Sequence, residues 1–64
     1  MKEYFIEVVY DDESEFNFTV KIEGERHEVV AHLMQITRGT LMASSAKRAV
    51  CYNEDGFDVC AYIQ

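Results

Sequence analysis

The sequence predicts an α+β fold with the element order β-β-α-β-β, in which one antiparallel sheet is packed on one face by a single helix. Two segments of alternating apolar and polar residues open the chain, a helical pattern follows, and a turn separates two final apolar segments. A period of two residues is typical of half-buried strands, and a period of three to four is typical of helices. A chain of 64 residues is too short for two hydrophobic cores, so we expect one domain over residues 1–64.

The first hairpin is predicted from strict alternation. In EFNFTVKIE, residues 15–23, every second residue is apolar, and YFIEVVY, residues 4–10, has the same period. A register that pairs Tyr10 with Phe16 would place the apolar positions of both strands on one face. DDESE is then the loop, and the buried face holds Tyr4, Ile6, Val8, Tyr10, Phe16, Phe18, Val20 and Ile22.

The helix is expected to begin near Glu25, because acidic residues in a first turn interact favourably with the helix dipole. Apolar residues then form two neighbouring stripes, a wide face suited to covering a sheet. The sequence leaves its extent open. Gly39 either ends the helix, which restarts with Thr40 as its cap, or is tolerated inside one helix that continues to about Ala46.

A second hairpin is predicted in RAVCYNEDGFDVCAYIQ, where Asn53 to Gly56 provide the turn. We expect the third strand of the chain to lie beside the first, and the core face of this hairpin to hold Phe57, Val59, Ala61 and Ile63. Two registers are open: Tyr52 pairs with Phe57, or Gly56 is a bulge and Asn53 pairs with Phe57. Neither register sets Cys51 and Cys60 directly opposite each other. Both cysteines are therefore interpreted as small apolar core residues and not as a disulfide, which needs close Cβ atoms.

The charge of −6 is unevenly distributed, because residues 1–28 hold nine acids against three bases while residues 29–64 are balanced. The excess negative charge of residues 1–28 argues against direct binding of nucleic acid phosphates there. The longest run without Asp, Glu, Lys or Arg is residues 29–37, too short to span a membrane. With no secretory signal pattern near Lys2, the protein is expected in the cytoplasm.

Catalytic and metal sites are not indicated. HEVVAH, residues 27–32, differs from the helical zinc-protease signature because its histidines are five residues apart. Five residues place His27 and His32 about 140° apart on a helix, so they cannot share one tetrahedral ion. Thr40, Ser44 and Ser45 lack a nucleophile motif, and no cofactor motif is present. We expect a non-enzyme without a cofactor.

The outward-facing residues of the first hairpin form the candidate site. Acidic side chains would surround two apolar ones there, a pattern suited to steering a basic protein and giving it contact area. The hypothesis is a small non-catalytic interaction or regulatory module. The predicted partner-binding residues are Glu3, Phe5, Glu7, Val9, Asp11, Glu15 and Glu23.

Two alternatives stay open. In the first, the domain is structural and forms a homodimer that completes a small core, since short chains gain stability by oligomerising. In the second, Cys51 or Cys60 acts with His32 as a thiol enzyme, which would require a thiol pKa well below its usual value of about 8.5.

Overall fold

The computed structural model describes residues 2–64 and confirms the α+β fold with the order β-β-α-β-β. The elements are β1 (Lys2–Val9), β2 (Glu15–Ile22), α1 (Arg26–Ser44), β3 (Arg48–Tyr52) and β4 (Asp58–Ile63). All neighbouring strands are antiparallel, and the order across the sheet is β2-β1-β3-β4. The prediction that the third strand lies beside the first is therefore confirmed.

The first hairpin forms, but its predicted register is wrong by two residues. Val8 lies opposite Phe16, and Ile6 lies opposite Phe18. The difference arises in the loop, where the Tyr10 backbone N–H donates to Ser14 O at 2.9 Å and Glu13 takes a positive φ of 69°. This compact turn, in place of the five-residue loop, continues the pairing to the Tyr10–Ser14 pair and preserves which side chains share a face.

The helix is continuous through Gly39 and ends at Ser44, so the second of the two predicted extents is the closer one. Glu25 is the N-cap, and Ser45 ends the helix in a left-handed conformation with φ 56°. The hydroxyl of Thr40 donates to Ile36 O and that of Ser44 to Thr40 O. These bonds give the hydroxyls an ordinary helical role.

The second hairpin contains a β-bulge that moves its core face. The Asn53 N–H donates to Phe57 O at 2.9 Å, so Asn53 pairs with Phe57, as in one of the two predicted registers. The register then shifts by one residue between Tyr52 and Cys51, and Cys51 lies opposite Cys60. One extra residue reverses the alternation beyond it. The prediction for Phe57, Ala61 and Ile63 is wrong, because all three are exposed. Val59 does pack on the core, together with Cys60 and Tyr62.

One hydrophobic core lies between α1 and the sheet, and its fully buried strand residues come from the two central strands, β1 and β3. Leu33 from the helix is fully buried there with Val8 and Ala49. The helix packs mainly on β3 and β4, less on β1, and makes almost no contact with β2. In residues 2–64, no helix is long and apolar enough to cross a membrane.

Candidate protein interface

The face of the sheet turned away from α1, called here the outer face, carries five of the seven predicted site residues. Pairing aligns them in rows across the strands, with Phe5 between Thr19 and Tyr52. Asp11 lies in the turn after β1, and Glu23 follows the end of β2. The five residues on the outer face are Glu3, Phe5, Glu7, Val9 and Glu15.

Val9 cannot give the contact area expected of it, because only 2% of its surface is exposed. Its cross-strand neighbours are Glu15 on β2 and Arg48 on β3. β1 is a central strand, so the long side chains on both sides can cover a short residue between them. The prediction that Val9 is an apolar contact is wrong for this reason.

Phe5 is 39% exposed and is the apolar centre of the outer face. Tyr52 lies directly opposite it on β3 and is half-buried. Burial raises the pKa of Tyr52, and the charges of Glu7 and Asp58 raise it further. Tyr52 and Asp58 were missed in the sequence because β3 and β4 bring them here. Placing them requires the registers of both the β1–β3 and the β3–β4 pairs.

Glu7 lies on the outer face and has a raised pKa. Partial burial raises its pKa, and a hydrogen bond and the like charge of Glu15 raise it further, whereas Arg48 lowers it. Arg48 therefore places a positive charge beside two predicted acidic contacts. The charge of the outer face is weaker in this region than the first hairpin alone indicated.

A concentration of acidic side chains lies at the end of the sheet where α1 begins. The backbone N–H of Glu3 donates to the Glu54 carboxylate at 3.0 Å, which ties the start of β1 to the turn between β3 and β4. An open groove of about 900 Å³ lies at this end. We call it the acidic groove; its charged lining is Glu3, Glu23, Glu54, Asp55 and Asp58 against Lys2 and Arg26.

The acidic groove also has an apolar rim. Phe57 lines it and is 69% exposed, and Tyr4, Ile22 and Val59 supply half-buried apolar surface. Glu3 and Asp58 belong to both the groove and the outer face. The structure thus brings the predicted residues Glu3 and Glu23 together at the groove.

Asp11 is far from the groove, at the opposite end of the sheet. Its neighbours in the turn are committed to local interactions: the pKa of Asp12 is lowered chiefly by the Ser14 hydroxyl, and Glu13 forms an ion pair with Lys47. The predicted site is therefore divided between two ends of the molecule, and Asp11 does not belong with Glu3 and Glu23.

The two cysteines form a separate cluster under the helix. Cys51 is fully buried, and burial is the main cause that raises its pKa to about 11. Cys60 donates a long hydrogen bond of 3.7 Å to the Thr37 hydroxyl. A raised pKa disfavours the thiolate, which is the nucleophilic form.

Within residues 2–64, the one group of potential metal ligands is at the start of α1. Ligand atoms of Glu25, His27 and Glu28 lie within 4.8 Å of one another, and all three residues are exposed. The distance from His27 Nδ1 to Glu25 Oε2 is 3.8 Å. His32 is not part of this group, consistent with its position around the helix.

In comparisons with known proteins, no family model, no curated protein and no solved structure matches the chain. Functional proposals therefore depend on the side chains described above.

Proposed function

We propose that the protein is a small non-catalytic interaction module of the cytoplasm that docks a basic segment of another protein in the acidic groove. The first hairpin contributes Glu3 and Glu23, and the second hairpin contributes the remaining acids and Phe57. The proposal includes no nucleic acid, cofactor or membrane partner. Two unpaired cysteines are compatible with a reducing compartment.

One observation carries this proposal: five acids and two bases line one open groove that has an exposed phenylalanine at its rim. Opposite charges accelerate encounter and select partners. An aromatic side chain gives a binding surface a large contact area, and aromatic residues are enriched in protein interfaces. The wide, open shape fits an extended or helical protein segment better than a small molecule, which usually occupies an enclosed pocket.

The test uses the immobilised protein to capture partners from lysate of its own cells, with elution by a salt gradient and detection by mass spectrometry. The groove variant carries Glu3→Gln and Glu23→Gln. The matched control carries Asp11→Asn and Glu28→Gln, which change the net charge equally at exposed positions outside the groove.

A basic protein retained by the control and lost by the groove variant would support docking in the groove. Phe57→Ala should weaken the same complex without changing the net charge. If the groove variant and the control lose the basic partner equally, only the net negative charge of the molecule attracts it, and the proposal fails. Failure to recover any basic partner would also contradict it.

The second candidate is a structural homo-oligomer, and one of the two sheet edges, that of β2, favours it. β2 is paired on one side by β1 and has no strand on its other side within residues 2–64. Sheet edges with unpaired backbone groups can pair with another chain. Sedimentation at increasing concentration tests this candidate, because a monomer at all concentrations would contradict it.

The thiol-enzyme alternative has less support. Cys51 is buried with a pKa raised to about 11, whereas a catalytic cysteine needs a lowered pKa and access to its substrate. A pH profile of alkylation tests it directly. A thiol titrating well below about 8.5 would be required to revive it.

A further inference from the structure

The outer edge of β2 has little protection against pairing along the middle of the strand. It is a regular strand of eight residues, Glu15–Ile22, and its pairing with β1 contains no bulge. Natural sheets protect edges with short strands, bulges, prolines or charged side chains, lysine especially. β2 has no proline, and its two charged residues, Glu15 and Lys21, lie at or next to its ends, so residues 16–20 between them carry no charge.

The backbone groups that point away from β1 can be assigned from the ladder. Tyr10 N–H donates to Ser14 O, so Tyr10 and Ser14 form a hydrogen-bonded pair. Hydrogen-bonded pairs alternate along an antiparallel ladder, so the even-numbered residues of β2 bond to β1. The odd-numbered residues Glu15, Asn17, Thr19 and Lys21 therefore direct their N–H and C=O groups to the free edge.

The helix-facing side of β2 is also incompletely covered. Phe16 is 55% exposed, and Phe18 and Val20 are only half-buried, because α1 lies over the other strands. Two copies joined at this edge would bring these side chains against their counterparts. The helices would not collide, since neither lies over β2.

We propose that two copies of the chain pair antiparallel through β2, with the two-fold axis at Phe18, to form a continuous eight-stranded sheet with both helices on one face. This inference rests on the second candidate above and specifies its surface and register. Asn17 would pair with the partner's Thr19, and Glu15 with the partner's Lys21. About eight backbone hydrogen bonds would join the copies, two in each of four such pairs.

Charge complementarity selects this register. Residues directly opposite in antiparallel strands share a face, so only shifts of two residues keep the phenylalanines of both copies together. A two-fold axis at Phe18 sets each Glu15 against a Lys21, and the centre of the interface is formed by uncharged side chains. An axis at Thr19 would set Glu15 opposite Glu23, and an axis at Asn17 would set Lys21 opposite Glu13, which already pairs with Lys47.

Charge reversal tests the register. Glu15→Lys and Lys21→Glu, each alone, place like charges opposite each other twice per dimer and should raise the dimer dissociation constant about tenfold. The double variant restores opposite charges and should return the constant to near its original value. Glu25→Lys is the matched control for Glu15→Lys, because it makes the same change of net charge next to α1 and should not weaken the dimer.

Amide exchange by NMR gives an independent readout. The N–H groups of Asn17 and Thr19 should become protected as concentration rises, while those of Phe16 and Phe18 should be protected in the monomer as well. Thr19→Pro removes one N–H group that points to the free edge and should prevent dimerisation. If this variant does not fold, the charge variants still test the proposal.

Absence of a dimer up to about 1 mM, roughly the limit of weak specific association, would overturn both this inference and the homo-oligomer candidate. A dimer that ignores the charge reversals and leaves Asn17 and Thr19 unprotected would overturn only the β2 interface. Neither result affects docking at the acidic groove, which has its own variants.

Discussion

Cys51 and Cys60 lie directly opposite each other on β3 and β4, although neither register considered from the sequence predicted it. The bulge at Val59 produces this arrangement by shifting the later part of β4 by one residue. Both thiols are free and lie on the helix side of the sheet. They differ in exposure, since Cys51 is fully buried and Cys60 is half-buried.

This difference predicts selective alkylation. Iodoacetamide should modify Cys60 well before Cys51 in the folded protein, because Cys51 is buried and its thiolate is disfavoured by a pKa of about 11. Peptide mass spectrometry over time gives the two rates. In urea the rates should become similar, and equal rates in the native protein would contradict the packing described here.

Gly39→Ala should stabilise the protein by about 1 kcal/mol, because glycine inside a helix costs about this much relative to alanine. A Cβ at Gly39 would meet nothing within 4 Å. The midpoint of thermal unfolding should rise by about 4–8 °C for a domain of this size. Gly24→Ala is the control and should destabilise the protein, because Gly24 has φ +147°. Destabilisation by Gly39→Ala would contradict a helix that continues through Gly39.

Ser45→Gly should also stabilise the protein, by about 0.5–1 kcal/mol, because Ser45 ends α1 with φ 56°, a left-handed conformation that glycine adopts without steric cost. Ser44→Gly is the matched control, because Ser44 is helical and donates to Thr40 O. Denaturant unfolding should show opposite signs for the two variants, and a shared sign would place the helix end elsewhere.

Glu7→Gln should increase stability near pH 7, by less than about 1 kcal/mol for a partly solvated site. The pKa of Glu7 is raised above its ordinary value of 4.5, so folding disfavours its carboxylate. The stabilising contribution of the protonated group is complete below the unfolded pKa and is lost as pH rises through the folded pKa.

The advantage of the Glu7→Gln variant should therefore shrink as pH is lowered from 7 through the raised folded pKa, and it should be gone below the ordinary carboxyl pKa of 4.5, which urea unfolding at several pH values can measure. Glu28→Gln provides a control of opposite sign, since Glu28 lies in the first turn of α1, where negative charge is favourable. A Glu7→Gln effect independent of pH would refute the electrostatic explanation.

Sequence periodicity was sufficient for the elements and their order, because alternation in residues 15–22 and the apolar stripes of α1 are strong local signals. The register of the first hairpin could not be predicted, since DDESE does not reveal that Glu13 would adopt a left-handed conformation. The bulge could not be predicted either, because Val59 and Cys60 are adjacent apolar residues. The odd-numbered and the even-numbered residues of β4 each give a plausible core face.

The candidate site was predicted only in part for a different reason. Charge counting along residues 1–28 identified Glu3 and Glu23, but the groove also depends on Glu54, which lies 51 residues after Glu3. Burial of Val9 likewise depends on neighbours from two other strands. Such long-range placement requires the sheet order and both registers together.

The strand directions also determine at which end of the chain an affinity tag should be attached. Lys2 lines the acidic groove, whereas Gln64 donates its N–H to Lys47 O beyond the other end of the helix. An affinity handle joined before Lys2 would crowd the groove, and one joined after Gln64 would leave it open. Attachment through the C-terminal side is therefore the orientation in which a bead or sensor surface presents the groove to a partner.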